Sequence, residues 1–221
     1  MPIWAWIALA AGVGWLITSS SGSSYPASTS QGDVSDRTDA DWQALWALAQ
    51  QLGSTPQILG LILFEESGMD PGAKNTNGHP NEPSKWCVGL NQFCPGTYES
   101  WVDVDKQTYL TWSMAQQLGP IGRFWASKPA FSTARDLFWL NFLPASYVEG
   151  ASADTVVNDP TKMDPHYATV TVPASNPNLF QGRSILTAGD VDAYLASIAA
   201  SPGWQLALQR IADNAPEADN A

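Results

Sequence analysis

The segment Thr55–Glu66 constrains the fold more than any other part of this chain. Ile58, Leu59, Leu61, Ile62, Leu63 and Phe64 make a helix that is apolar almost all round, and such a helix belongs in the middle of a domain. Thr55-Pro56 supplies an N-cap followed by proline at the first helical position, where the missing N–H is no loss. The helix carries Glu65 and Glu66 to its end, and Ser67-Gly68 stops it. A carboxylate at the end of a buried helix loses hydration, which raises its pKa. A raised carboxyl pKa is what a general acid needs to protonate a sugar leaving group. The segment therefore points to glycan cleavage. Neighbours on a helix diverge by about 100°, so Glu65 and Glu66 do not both enter one cleft. One is expected to be buried and functional, the other to face solvent or pair with a base.

The remaining pattern predicts a mainly α fold. Trp42, Leu45, Trp46, Ala49 and Leu52 recur at helical spacing over Asp41–Leu52, with Gly53 as a stop. Residues 67–95 hold many Gly, Pro, Asn and Ser and predict an irregular loop. A helix group follows over Thr97–Trp125, and another helix runs from Ser132 to Leu143 with Pro144 as its stop. Residues 150–186 are rich in Pro, Asn and Thr and contain one β-like run, Ala168–Val172. Thr187–Ser201 is a helix with Thr187 and Asp190 as a capping box, presenting Val191, Tyr194, Leu195 and Ile198 on one face. Trp204–Ala212 is a short final helix before an acidic tail.

The N-terminal run Ile3–Ile17 is uncharged, and no Lys or Arg precedes Arg37. That length sits at the short end of a spanning helix. Trp4, Trp6 and Trp15 lie near its ends, where aromatic rings prefer the membrane interface. A cleaved signal peptide has an apolar region of similar length, but the positive n-region and an A-x-A site are both missing. The expectation is a single-pass anchor, N-terminus inside and the bulk of the chain outside the cytoplasm. Residues 19–38, rich in Ser, Gly and Thr, read as a flexible tether.

Cys87 and Cys94 are the only cysteines, with Val88–Phe93 between them. Outside the cytoplasm a disulfide is expected there, stabilising by roughly 2–3 kcal/mol on loop-entropy grounds; the alternative is a pair of buried thiols. Two Cys with His79 and His166 do not supply a zinc site, so no metal or other cofactor is expected. The net charge of −11 leaves no basic run to neutralise phosphates, which excludes nucleic acid as a partner. Eleven Trp residues lean toward carbohydrate, because aromatic faces are what sugar rings stack upon. Asp103 and Asp105 read as a solvated loop pair.

Taken in order, Glu66-Ser67-Gly68, Asp70-Pro71, Gly89-Leu90-Asn91-Gln92-Phe93 and Pro95-x-Thr97 resemble the lytic transglycosylase pattern. In that pattern an E-S pair closes a helix, G-L-x-Q follows some twenty residues on, and P-x-T opens the next helix. The resemblance extends to forms carried by phage virions: Gln116-Gln117-Leu118 precedes Asp136–Ala145, a stretch that resembles the family's third motif, an aromatic helix ending in Pro. The likeness covers about residues 41–150. It implies a lysozyme-like domain of goose type, residues 39–201, that cleaves the MurNAc–GlcNAc bond of peptidoglycan, with residues 202–221 as an appended helix and tail.

Carried over residue by residue, the resemblance makes Glu66 the single general acid and base. Ser67 would steady the site through its hydroxyl, and Gln92 with the Gly89-Leu90 backbone would hold the N-acetyl sugars. The family's Tyr, which hydrogen-bonds the catalytic Glu, falls near Asn141 or Phe138 here. Asn141 can donate such a bond and Tyr147 lies nearby, so the role stays open between them, and both are candidates at the substrate site. Phe138, Trp139 and Phe142 are assigned to core packing, and the polar stretch His79–Lys85 to an extension of the cleft. The partners implied are peptidoglycan, a lipid membrane through residues 3–17, and virion or envelope assembly proteins. A hydrolytic lysozyme on the same fold, or an anchored glycan-binding protein without activity, are the alternatives.

Overall fold

The computed structural model describes residues 34–76, 79–159, 161–163 and 172–217. The expected anchor and most of the tether lie outside them, and among the described residues no helix is long and apolar enough to cross a membrane. The last residues of the tether are already part of the fold. Val34–Asp36 forms a 3-10 turn whose Val34 is fully buried, and Thr38 caps the first helix.

The protein is mainly helical. Helices α1 (Asp39–Gln51) and α2 (Pro56–Ser67) are followed by a two-stranded antiparallel ribbon of β1 (Lys74–Asn75) and β2 (Cys87–Val88). Then come α3 (Thr97–Trp101), α4 (Lys106–Tyr109), α5 (Met114–Ala126) and α6 (Ala134–Phe142). Two single-turn helices, α7 (Val172–Ser175) and α8 (Pro177–Phe180), precede α9 (Ala188–Ala199) and α10 (Pro202–Asp213).

Helix α2 forms where its sequence signals stand. The Thr55 hydroxyl accepts from the Ile58 N–H, Pro56 takes the first position, and Gly68 closes the helix in a left-handed cap at φ 66°. It lies against α1, α6, α9 and α10, and Leu59, Ile62 and Leu63 are fully buried. Burying each such side chain stabilises by about 2 kcal/mol. Gly60 lets two neighbours approach: a Cβ there would stand 3.1 Å from Ile211 Cδ1 and 3.3 Å from the Trp204 ring. Helix α1 is started by a Thr38–Asp41 capping box and buries Trp42, Leu45, Leu48 and Ala49. The Trp46 indole N–H donates to the Ile211 carbonyl at 2.9 Å, tying α1 to α10.

Several expectations change in detail. The helix group over Thr97–Trp125 divides in three because local side chains cap internal turns. Asp105 accepts from the Gln107 and Thr108 N–H groups to open α4, and Ser113 forms a capping box with Gln116 to open α5. Asp103 and Asp105 are both exposed, and Asp105 is in addition a helix cap. The loop 67–95 contains the β1–β2 ribbon. The β-like run Ala168–Val172 lies outside the described residues except for Val172, which begins a helical turn. The core also continues across residue 202, since Trp204, Ala207 and Ile211 of α10 are buried in it. The segment before α9 is pinned to that helix through Val157 N–H to Leu186 O, Ala188 N–H to Thr155 O and Gly189 N–H to Ala153 O, each 2.8 Å.

Candidate active site

The C-terminal end of α2 meets three other segments, and Glu66 lies where they converge. The Asn141 side-chain N–H, from the last turn of α6, donates to Glu66 Oε1 at 2.6 Å. Asn141 is itself held on its other face. Its Oδ1 accepts from Asn91 Nδ2 at 3.1 Å and from the Trp125 indole N–H at 3.5 Å. An indole nitrogen is a donor only. The Asn141 carbonyl oxygen must therefore face Trp125 and its amide nitrogen must face Glu66. Of the candidates for the third-motif role, Asn141 is the one that bonds Glu66; Tyr147 packs edge-on against Trp139, ring centres 5.7 Å apart.

Both glutamates keep partial solvent access, yet loss of hydration governs their acidity. Burial, and after it the charge of Glu65, hold the Glu66 carboxyl well above the usual carboxylate range, against the Asn141 hydrogen bond. Burial pushes the Glu65 carboxyl from 4.5 up to about 7, against a hydrogen bond from Tyr194. That bond, Tyr194 Oη to Glu65 Oε1 at 2.9 Å, comes from α9. Glu65 was expected to face solvent or to pair with a base; instead it accepts from a tyrosine hydroxyl. The divergence of adjacent helical side chains appears here as two donors on two different helices.

The Gly89–Phe93 loop is built to a tight internal pattern. Cys87 and Cys94 form the expected disulfide, and Val88 and Phe93 exchange backbone hydrogen bonds across it. Gly89 has φ +76°, and a Cβ on it would lie 2.4 Å from Tyr109 Cε1 and 2.5 Å from Gln117 Oε1, so the position requires glycine. Gln117, fully buried on α5, accepts from the Leu90 N–H at 2.9 Å and donates to the Pro71 and Tyr109 carbonyls. The Gly89 N–H goes to the Ala73 carbonyl at 2.8 Å. The Gly89 and Leu90 N–H groups are thus both donated inside the loop. Leu90 is itself fully buried. Gln92, at φ 44°, donates its side-chain amide to the Gly89 carbonyl at 2.8 Å and to the Ala73 carbonyl at 3.4 Å.

Other candidates are placed as follows. The Ser67 hydroxyl donates to the Leu63 carbonyl at 2.9 Å, which turns it along its own helix instead of toward Glu66. Phe138 and Trp139 are buried, and Phe142 packs against the core. In the polar stretch, Glu82 accepts from His79 Nδ1 and pairs with Lys85, both at 2.9 Å. Among the described residues no group of three His, Cys, Asp or Glu side chains gathers as a metal site. An open pocket of about 500 Å³ is lined by Ser84, Tyr98, Glu99, Asp105 and Lys106, none of which belongs to the Glu66 cluster.

Sequence reasoning missed Tyr194, Asn91, Trp125 and Gln117 as parts of this arrangement. Tyr194 carried one signal, a polar tip on the apolar face of a helix. Asn91 sat inside the G-L-x-Q loop at the variable position. Gln117 stood in the quoted Gln116-Gln117-Leu118 stretch without a role, and Trp125 had no distinguishing mark in the chain. No protein-family model, no curated protein and no solved structure matches this sequence.

Proposed function

We propose that this chain is a peptidoglycan lytic transglycosylase with a lysozyme-like domain, anchored to a membrane through residues 3–17 and opening the wall locally during phage entry. Glu66 is its single general acid and base. The observation that carries this reading is the fixed Asn141 amide on Glu66 Oε1. A donor on that oxygen keeps it an acceptor, so the acidic proton sits on Oε2. Burial and the neighbouring Glu65 favour the protonated form, which is the form that can protonate a glycosidic oxygen.

The chemistry then follows from one carboxyl group. Glu66 Oε2–H gives its proton to the oxygen linking MurNAc to GlcNAc as the C1–O bond breaks. The substrate's N-acetyl oxygen closes on C1. The Glu66 carboxylate next takes the proton of the sugar's 6-hydroxyl, whose oxygen attacks C1 and displaces the N-acetyl oxygen, restoring the acetamido group as the 1,6-anhydro product leaves. Reliance on the substrate's own acetamido group explains why a second protein carboxylate at C1 is not needed. An anchor raises local enzyme concentration at the wall, which suits an acidic protein with no electrostatic capture of an anionic polymer.

The test is zymography on purified peptidoglycan with wild type and Glu66→Gln, followed by analysis of the released sugars. Clearing by wild type alone and an anhydro-MurNAc product are expected. Reducing-end MurNAc would replace the transglycosylase reading with a hydrolytic lysozyme. Equal clearing by both proteins, or none by either, removes Glu66 from catalysis.

A further inference from the structure

The contact between Tyr194 and Glu65 lies beyond the single-acid scheme. Tyr194 is set by packing: its ring lies 6.1 Å from that of Phe138, which in turn lies 5.4 Å from Phe142. Both phenylalanines belong to α6, the helix that supplies Asn141. Helices α6 and α9 are further joined by an ion pair, Arg135 to Asp192 at 2.8 Å. One helix pair therefore presents a hydroxyl to Glu65 and an amide to Glu66, two carboxyls adjacent on α2.

We propose that Glu65, held by the Tyr194 hydroxyl, is a positioning residue that carries the charge of the pair and so keeps the proton on Glu66; this rests on the role of Glu66 given above. A phenol O–H donor stabilises an anionic acceptor more than an amide N–H does. The first proton to leave the pair therefore leaves Glu65. The negative charge that remains beside Glu66 opposes loss of the second. The resting pair holds one proton, on Glu66 Oε2, and the protein supplies a loaded acid at neutral pH without a second catalytic carboxylate.

The ionisable groups on the helices packed around α2 are otherwise engaged. On α6, Arg135 pairs with Asp192, and Asp136 sits in the first turn, the end opposite Asn141. On α9, Asp190 receives Thr187 and Arg183. On α1, Asp41 caps its own helix and accepts from Ala115 N–H, while Asp39 faces Arg210 of α10 at 3.4 Å. Asp213 of α10 accepts from Gln209. Just past α2, Asp70 accepts from the Gly72 N–H at 2.8 Å and faces Arg37 at 3.9 Å, which leaves Glu65 as the charge that acts on Glu66 and Tyr194 as the donor on Glu65.

The experiment measures turnover against pH for the full chain in detergent, as wild type, Glu65→Gln and Tyr194→Phe, on soluble glycan strands. In parallel, the Glu66 side-chain carboxyl is titrated by ¹³C NMR, its resonance assigned by its loss in Glu66→Gln. Gln can still accept from Tyr194, and Phe keeps the ring contacts, so both variants preserve the packing. Expected is a fall of about one pH unit in the Glu66 midpoint, and in the alkaline limb of turnover, for Glu65→Gln. Tyr194→Phe shifts both in the same direction. An unchanged Glu66 midpoint in both variants overturns the proposal. Turnover abolished at every pH in Glu65→Gln but retained in Glu66→Gln would make Glu65 the acid and overturn both readings. If wild type does not cleave glycan, the transglycosylase reading fails by itself and the NMR midpoints still decide the carboxyl coupling.

Discussion

Replacing Glu65 by Gln should make the protein more stable at neutral pH and leave it unchanged in acid. The unfolded chain ionises Glu65 near 4.5, whereas burial moves the folded carboxyl to about 7. Below pH 4.5 the side chain is neutral in both states and contributes no difference. Between the two midpoints only the unfolded state releases the proton, so stability falls as pH rises, by about 1.4 kcal/mol per pH unit. The ceiling at neutral pH is about 3 kcal/mol, and partial solvent access lowers the working value to about 2 kcal/mol. The Tyr194 hydrogen bond survives in the variant, because the Gln carbonyl accepts in place of the carboxylate.

Urea unfolding followed by circular dichroism from pH 4 to 8 measures the difference directly. Carboxylates held below their usual range, such as Asp105, Asp159 and Asp190, give the opposite slope, but they are common to both proteins and cancel. Relief of repulsion on Glu66 adds in the same direction at the alkaline end. Parallel stability curves for wild type and Glu65→Gln across this range would refute the claim that burial governs the carboxyl.

Two further outcomes follow from the loop that carries Asn91. Gly89→Ala forces a Cβ into Tyr109 and Gln117 at a left-handed backbone position, and should cost about 3 kcal/mol in urea unfolding; a loss under 1 kcal/mol would mean the loop relaxes freely. Replacing Cys87 and Cys94 by Ser opens a short closed loop and should lower stability by about 2–3 kcal/mol. Reduction of the wild type should reproduce that loss, and a thermal midpoint indifferent to both treatments would show the disulfide adds nothing.

The features legible in the sequence are those written into short stretches of chain. The Thr55-Pro56 start and Gly68 stop of α2, the Thr187–Asp190 capping box of α9 and the Cys87–Cys94 pairing each depend on residues within a few positions of one another. The three-way division of Thr97–Trp125 was missed although its signals are equally local, because Asp105 was read as a solvated loop residue and not as a cap, and Ser113 was not weighed.

What decides the candidate site is different in kind. Asn141 reaches Glu66 across 75 residues, Asn91 reaches Asn141 across 50, and Tyr194 reaches Glu65 across 129. An apolar helix ending in two carboxylates is enough to say that one of them is costly to ionise. Which donors meet each carboxylate depends on how α6 and α9 pack on α2, and a side chain's partner is set by that packing, not by its sequence neighbours. The buried helix alone nominated either glutamate, and the motif resemblance chose Glu66 and left Glu65 without a role; the tertiary fold assigned an amide to one and a phenol to the other.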